Sequence, residues 1–376
     1  MILSKCRWFN DHQAPCCLMI DDLVPAAVSL DGKLGPHNDW GYLMDGPDSL
    51  FSYFKCNLLE KYPEIRGTIF MPLESQRDIA EEKGYSVFRR DIDLNFVEFT
   101  KRFSNNFELA FHGIRHTYLN DGQLIYEFEN VSEEDLILLK KKNESFAAIG
   151  IVFKGGKFPG YKYCQNAIHF AKLVNFKWLA LSANMINKKH PNNELSFIIN
   201  SDIVDIPTNL SGNIFSNKLD HAGCLKRTIK YFIFPAKRLK PEEYLEYLYL
   251  NGFPITIQEH FQNQRTDGRR QTPNVYDDIR SLDRIFDFIR NRDIWNATCS
   301  EIALYFNSYT NTIIRERNND EFEILYRGNW DNAFLTIASD IPRLEEIASG
   351  DKFHGIPKNG RFVFNHMYEG IYRPCQ

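Results

Sequence analysis

Through residues 1–309, short apolar runs alternate with longer stretches whose apolar positions recur at helical spacing. The runs at 16–21, 67–72, 107–111, 178–181 and 254–259 have strand length. Leu50, Phe51, Phe54, Leu58 and Leu59 share one helical face and predict a helix over 48–62. Further helices are expected over 92–104, from Ser132 to about 148, over 167–174, from Pro241, over 275–291 and over 298–308. Ser132 followed by Glu133-Glu134-Asp135 has the chemistry of a helix N-terminus. The stretch 196–207 predicts one or two strands, and 229–235 another. Strands that are apolar throughout, separated by amphipathic helices, are what a parallel sheet covered on both faces requires.

The tail has a different rhythm. Residues 312–340 alternate apolar and polar positions between turn signals, and 361–365 form a further strand candidate. The pattern divides the chain into an α/β unit over 1–309 and a small β-rich region over 310–376.

Composition narrows the function. With 43% hydrophobic residues, 25% charged residues and a net charge of -4, the chain has no basic field to draw nucleic acid. Lys140-Lys141-Lys142 is a solvated helix face on this reading. No segment approaches the ~20 apolar residues of a membrane span. The opening MILSKCRWFNDHQAPCC lacks a leader-like apolar core, and the eight cysteines follow no metal-finger spacing. A reduced, cytoplasmic protein is expected.

The candidate chemistry sits where the apolar runs stop. Cys16-Cys17-Leu18-Met19-Ile20 leads into Asp21-Asp22, Phe107-Glu108-Leu109-Ala110-Phe111 into His112, and Ile255-Thr256-Ile257-Gln258-Glu259 into His260. In α/β barrels these strand ends converge on one face, where the active site lies. His112 and His116 can share one ion if the chain turns between them, and Gly113 eases such a turn. Asp22 would add an oxygen ligand, completing three protein donors with one open position, the pattern of a catalytic divalent site, zinc above all. Neighbouring side chains of an extended segment point opposite ways, so one carboxylate of the pair would bind metal while the other served as base. His260 would protonate a leaving group.

These motifs, in this order over about residues 15–305, resemble the polysaccharide deacetylase family, which includes chitin and peptidoglycan deacetylases. The resemblance implies a distorted (β/α) barrel of seven strands. It implies Asp21 as general base, Asp22, His112 and His116 as metal ligands, and His260 as catalytic acid. Lys157, in Lys157-Phe158-Pro159-Gly160-Tyr161, stands where the family carries an arginine beside the base, with Lys154 and Arg115 as other candidates for that work. Met19-Ile20 replaces the family's Thr-Phe, and the fourth motif retains only Asp202 and Asp205 without a tryptophan. Tyr161 and Trp40 are candidates to stack on a sugar. The expected activity is metal-assisted removal of an N-acetyl group from a carbohydrate, in a glycan or its precursor. The competing expectations are a metal-dependent hydrolase of another amide or ester, and a metal-free carbohydrate-binding protein on a degenerate barrel.

Overall fold

The computed structural model describes residues 2–375 except 40–41, 43–48, 183–197, 200–202, 217–239, 264, 266–268 and 319; for 34–39, 87 and 198–199 it describes the backbone. Trp40, Asp202 and the strand expected at 229–235 lie outside the described residues.

Among the described residues, eight parallel strands form a curled sheet with helices around it. In chain order they are β1 (Ala14–Asp21), β2 (Gly67–Met71), β3 (Phe107–Phe111), β4 (Gly155–Gly156), β5 (Trp178–Leu179), β6 (Ile203–Asp205), β7 (Leu210–Ser211) and β8 (Ile255–His260). Their spatial order is β6-β5-β4-β3-β2-β1-β8-β7. Ile294–Asn296 adds a short parallel pairing at the start of β1, and Ile198–Ile199 lies antiparallel to β6. The α/β class and the barrel-like curl agree with the sequence, with eight parallel strands against the expected seven. β4 and β7 both lie outside the apolar runs that predict strands; β4 is hidden by its composition, because glycine is depleted in strands. Glycine is required there by crowding: a Cβ on Gly155 would lie 2.4 Å from the Trp178 ring, and one on Gly156 would lie 2.5 Å from the Phe111 carbonyl oxygen.

The two faces of the sheet bury different cores. Cys16, Leu18 and Ile20 of β1 face outward into the main cluster with Leu50, Phe54, Leu245, Leu282, Ile285 and other helix residues. Cys17 and Met19 face inward with Phe70, Ala110, Trp178 and Val204. The period of two along each strand produces this division. The inner cluster also includes Cys299, Ile302, Ala303 and Phe306 from the helix Cys299–Asn311. Thr298 and Glu301 form a capping box that starts this helix. The inner face is therefore filled with side chains at one end, and the polar strand ends occupy the other.

The tail forms two antiparallel sheets. The five-stranded one runs Thr312–Asn318, Glu321–Tyr326, Gly370–Pro374, Arg343–Glu346, Lys352–His354. The four-stranded one includes Leu335–Ser339, Arg361–Met367 and Ile356–Lys358, with Leu3–Lys5 from the other end of the chain paired to Leu335–Ser339. Phe322, Ile324, Leu335, Ile337, Leu344, Phe364, Met367 and Tyr372 form their common core. Residues 310–376 are β-rich as the alternation predicts, but the N-terminal strand belongs to the same sheet. No helix among the described residues is long and apolar enough to cross a membrane.

Candidate metal centre

Strand register brings the ionisable residues together. β1 and β8 are paired so that Asp21 lies opposite His260 and Met19 opposite Gln258. Phe111 lies opposite Met71 on one side and Gly156 on the other, which sets His112 beside Lys157. Asp21 follows Cys17 and Met19 in parity and so points inward.

Asp22 departs from that alternation. Its backbone is left-handed (φ 69°), a conformation that aspartate tolerates better than most residues. The strand has ended at Asp21, so strand parity no longer keeps Asp22 out of the pocket, and both carboxylates reach it. His116 is also left-handed (φ 68°) and Gly113 lies at φ 90°, so the chain folds back on itself between the two histidines. Glu127 secures this turn: its Oε2 accepts the N–H of Ile114 at 2.8 Å and of Arg115 at 3.2 Å. Burial pushes the Glu127 carboxyl up to about 7, while those N–H groups act in the opposite direction. A Cβ on Gly113 would lie 2.6 Å from Glu127 Oε2. Gly113→Ala is therefore expected to cost more than about 1 kcal/mol of stability and to weaken zinc uptake. A denaturant melt and a zinc titration check the two effects.

Asp22, His112 and His116 offer ligand atoms that all lie within 4.8 Å of one another. Asp22 Oδ1 is 3.7 Å from His112 Nε2 and 3.6 Å from His116 Nε2. Donors bound tetrahedrally to zinc sit about 3.4 Å apart, so small movements would seat an ion. Two further observations fit a cation. Asp22 Oδ1 is buried without a hydrogen-bond partner. His112 Nδ1 is 2.9 Å from the Lys157 carbonyl oxygen; donation there fixes the tautomer that leaves Nε2 unprotonated toward Asp22. Burial lowers the basicity of both imidazoles, against the pull of the nearby carboxylates, and favours the neutral form that ligates.

The other oxygen of Asp22 belongs to Arg89, whose Nη2 donates to Oδ2 at 2.7 Å. Burial opposes the Asp22 charge, but the adjacent Arg89 guanidinium, the largest opposing influence, helps hold the carboxyl well below the usual range. Arg89 comes from outside the parallel sheet, on a strand (Val87–Arg89) that pairs with Ala26–Ser29. Sequence reasoning missed Arg89, and nothing in its local pattern marks it.

Asp21 is clamped by Lys157, whose Nζ donates at 2.7 Å to Oδ1 and 2.9 Å to Oδ2. Burial alone would lower the lysine pKa, but the charge of Asp21 and this hydrogen bond raise it above its ordinary value. Of the three residues considered for this contact, Lys157 makes it, whereas Arg115 pairs with Asp78. Gln258 Nε2 donates to Asp21 Oδ2 at 3.1 Å. Gln258 lies two residues before His260, so the period of two was the signal that could have found it. His260 Nε2 stands 3.9 Å from Asp21 Oδ2, and its Nδ1 is 2.8 Å from the Pro273 carbonyl oxygen.

Tyr161 lies beneath this network. Its hydroxyl donates toward Gln258 Oε1 at 2.7 Å and is 2.8 Å from Thr208 Oγ1, while Lys157 Nζ sits 5.0 Å from the ring centroid. The hydroxyl and one region of the ring are thus engaged with the residues around Asp21.

No family model matches the chain. It is 30% identical over 109 residues to the tRNA(Ile)-lysidine synthase of Campylobacter jejuni (strain RM1221), over 27% of this chain and 34% of that protein. The chain thus spans about a third of the length of that curated relative. Among solved structures, a putative polysaccharide deacetylase from Mycobacterium smegmatis overlaps 80% of this chain and 92% of its own, with 14% identity and a TM-score of 0.41. A 4-alpha-glucanotransferase from Thermococcus litoralis overlaps 77% of this chain and 40% of its own, with 12% identity and a TM-score of 0.39. A CE4 family pseudoenzyme from Bacillus anthracis overlaps 77% and 65%, with 11% identity and a TM-score of 0.33. At these scores the overlaps establish neither descent nor activity.

Proposed function

We propose that the chain is a metal-dependent hydrolase that removes an N-acetyl group from a carbohydrate. The observation that carries this reading is the convergence of Asp22, His112 and His116, with a buried, unpartnered Oδ1 facing two imidazole nitrogens. One carboxylate oxygen and two imidazoles suit zinc and leave a position open. The sugar is supported by the ordered deacetylase motifs in the sequence.

When bound, a divalent cation supplies Lewis acidity toward an acyl carbonyl and a water. Asp21 is the proton acceptor. Its orientation is fixed by Lys157 and Gln258 at both carboxylate oxygens. His260, with Nδ1 tied to the Pro273 carbonyl, presents Nε2 toward Asp21 and is placed to donate a proton to the leaving amine. Asp21, Asp22, His112 and Lys157 are all nearly inaccessible to water, which strengthens every charge interaction among them.

The test is metal analysis of the purified chain, combined with acetate release from N-acetylated sugars. The expected result is one divalent ion per chain and acetate release that stops on chelation and returns with zinc. His116→Ala should abolish stoichiometric zinc uptake. A wild-type chain that takes up no metal would overturn the reading in favour of a binding protein. Metal uptake with turnover only of esters or other amides would overturn the sugar assignment.

A further inference from the structure

Among the described residues, the charged carboxylates and cations that meet in the pocket form two pairs before any metal cation enters. Lys157 pairs with Asp21, and Arg89 pairs with Asp22. All four side chains are buried. His112 and His116, as ligands, contribute no charge. Glu127, the carboxyl on the neighbouring turn, is directed at the N–H groups of Ile114 and Arg115, and Glu259 shares the strand parity of Ile255 and Ile257, which face the outer core, with burial raising its carboxyl well above the usual range. A protonated His260 would add only positive charge.

A divalent cation in this pocket therefore arrives with its charge uncompensated. Without Arg89, Asp22 would cancel one unit of it. With Arg89 bound to Oδ2, that unit is already cancelled, and the loaded pocket keeps about one more positive charge than its ligands alone would leave. Arg89 itself is 8% exposed, and its Nε and Nη1 are buried without hydrogen-bond partners. Unsatisfied guanidinium donors and excess positive charge both favour an anion.

Resting on the hydrolase reading above, we propose that the sugar acted on carries a negative charge, a carboxylate or a phosphate, close to its N-acetyl group, and that Arg89 is the specificity-determining residue that selects it. The role is electrostatic. Arg89 acts through the field it sets at the pocket and through Asp22, which it holds by Oδ2 so that Oδ1 remains for the ion.

The test is binding calorimetry on the zinc-loaded full chain with three probes: N-acetylglucosamine, N-acetylglucosamine 6-phosphate and N-acetylmuramic acid. The expected result is that at least one charged sugar binds about tenfold or more tighter than the neutral one, as buried charge interactions allow, and that raising the salt concentration narrows the gap. The phosphate and carboxylate arms identify which anion is preferred. Arg89→Gln, loaded at saturating zinc with the loading checked by metal analysis, should lose the preference, whereas Arg89→Lys should retain most of it. Equal affinity of the wild type for all three sugars overturns the proposal, and needs no variant to fold. A preference that survives in Arg89→Gln overturns the assignment to Arg89. A wild type that binds no zinc overturns the hydrolase reading itself, so the two failures are distinguishable.

Discussion

Asp21→Asn is expected to lower kcat for acetate release by about 10²–10⁴-fold, the range supplied by a positioned general base. Zinc uptake should persist, because Asp22, His112 and His116 are untouched. An amide has the size of the carboxylate and can keep a hydrogen bond to Gln258, but it cannot accept a proton at the working pH. The change also removes the partner of a buried lysine, so a thermal melt must accompany the kinetics. Loss of turnover in a chain that stays folded and zinc-bound is the expected pattern. Full activity in Asp21→Asn would remove Asp21 as the base.

Lys157→Met is expected to destabilise the fold by about 3–5 kcal/mol, the usual consequence of leaving one member of a buried ion pair alone. Lys157 is 1% exposed and Asp21 2%, so solvent cannot replace the missing cation. Removing both charges in Lys157→Met with Asp21→Asn should recover much of that loss, which a double-mutant cycle in denaturant would show. The pH dependence has a definite sign. The lysine pKa is raised on folding, so its contribution is complete below the ordinary lysine value of 10.5 and declines only as pH rises through the higher folded value. Alkaline melts of the wild type should therefore lose this contribution above the range in which a free lysine titrates. A Lys157→Met chain as stable as the wild type would show that the pair is not needed for folding.

The glycine pair of β4 and the arginine at the pocket mark the edges of what local pattern conveys. β1, β3 and β8 could be read from their apolar runs because a strand buried on both faces has few polar positions. Their ends could be read as a site because parallel strands carry their termini to one edge. β4 was hidden, since its defining need is the absence of side chains where Trp178 and the Phe111 carbonyl crowd the backbone. Tyr161 was expected to stack on a sugar, and its position under Lys157 follows from contacts with Thr208 and Gln258 that lie 47 and 97 residues away in the chain.

By itself, then, the sequence determined the α/β alternation, the β-rich tail, and the residues Asp21, Asp22, His112, His116, Lys157 and His260 as a candidate set, because these depend on local periodicity and on motif order. Only the tertiary structure decided that Asp22 turns back into the pocket, that Leu3–Lys5 completes a sheet of the tail, and that Arg89 neutralises Asp22. Those outcomes depend on backbone turns at strand ends and on charges brought together from distant segments. A one-dimensional pattern does not encode distance between such segments, whereas the energy of a buried charge is set by it.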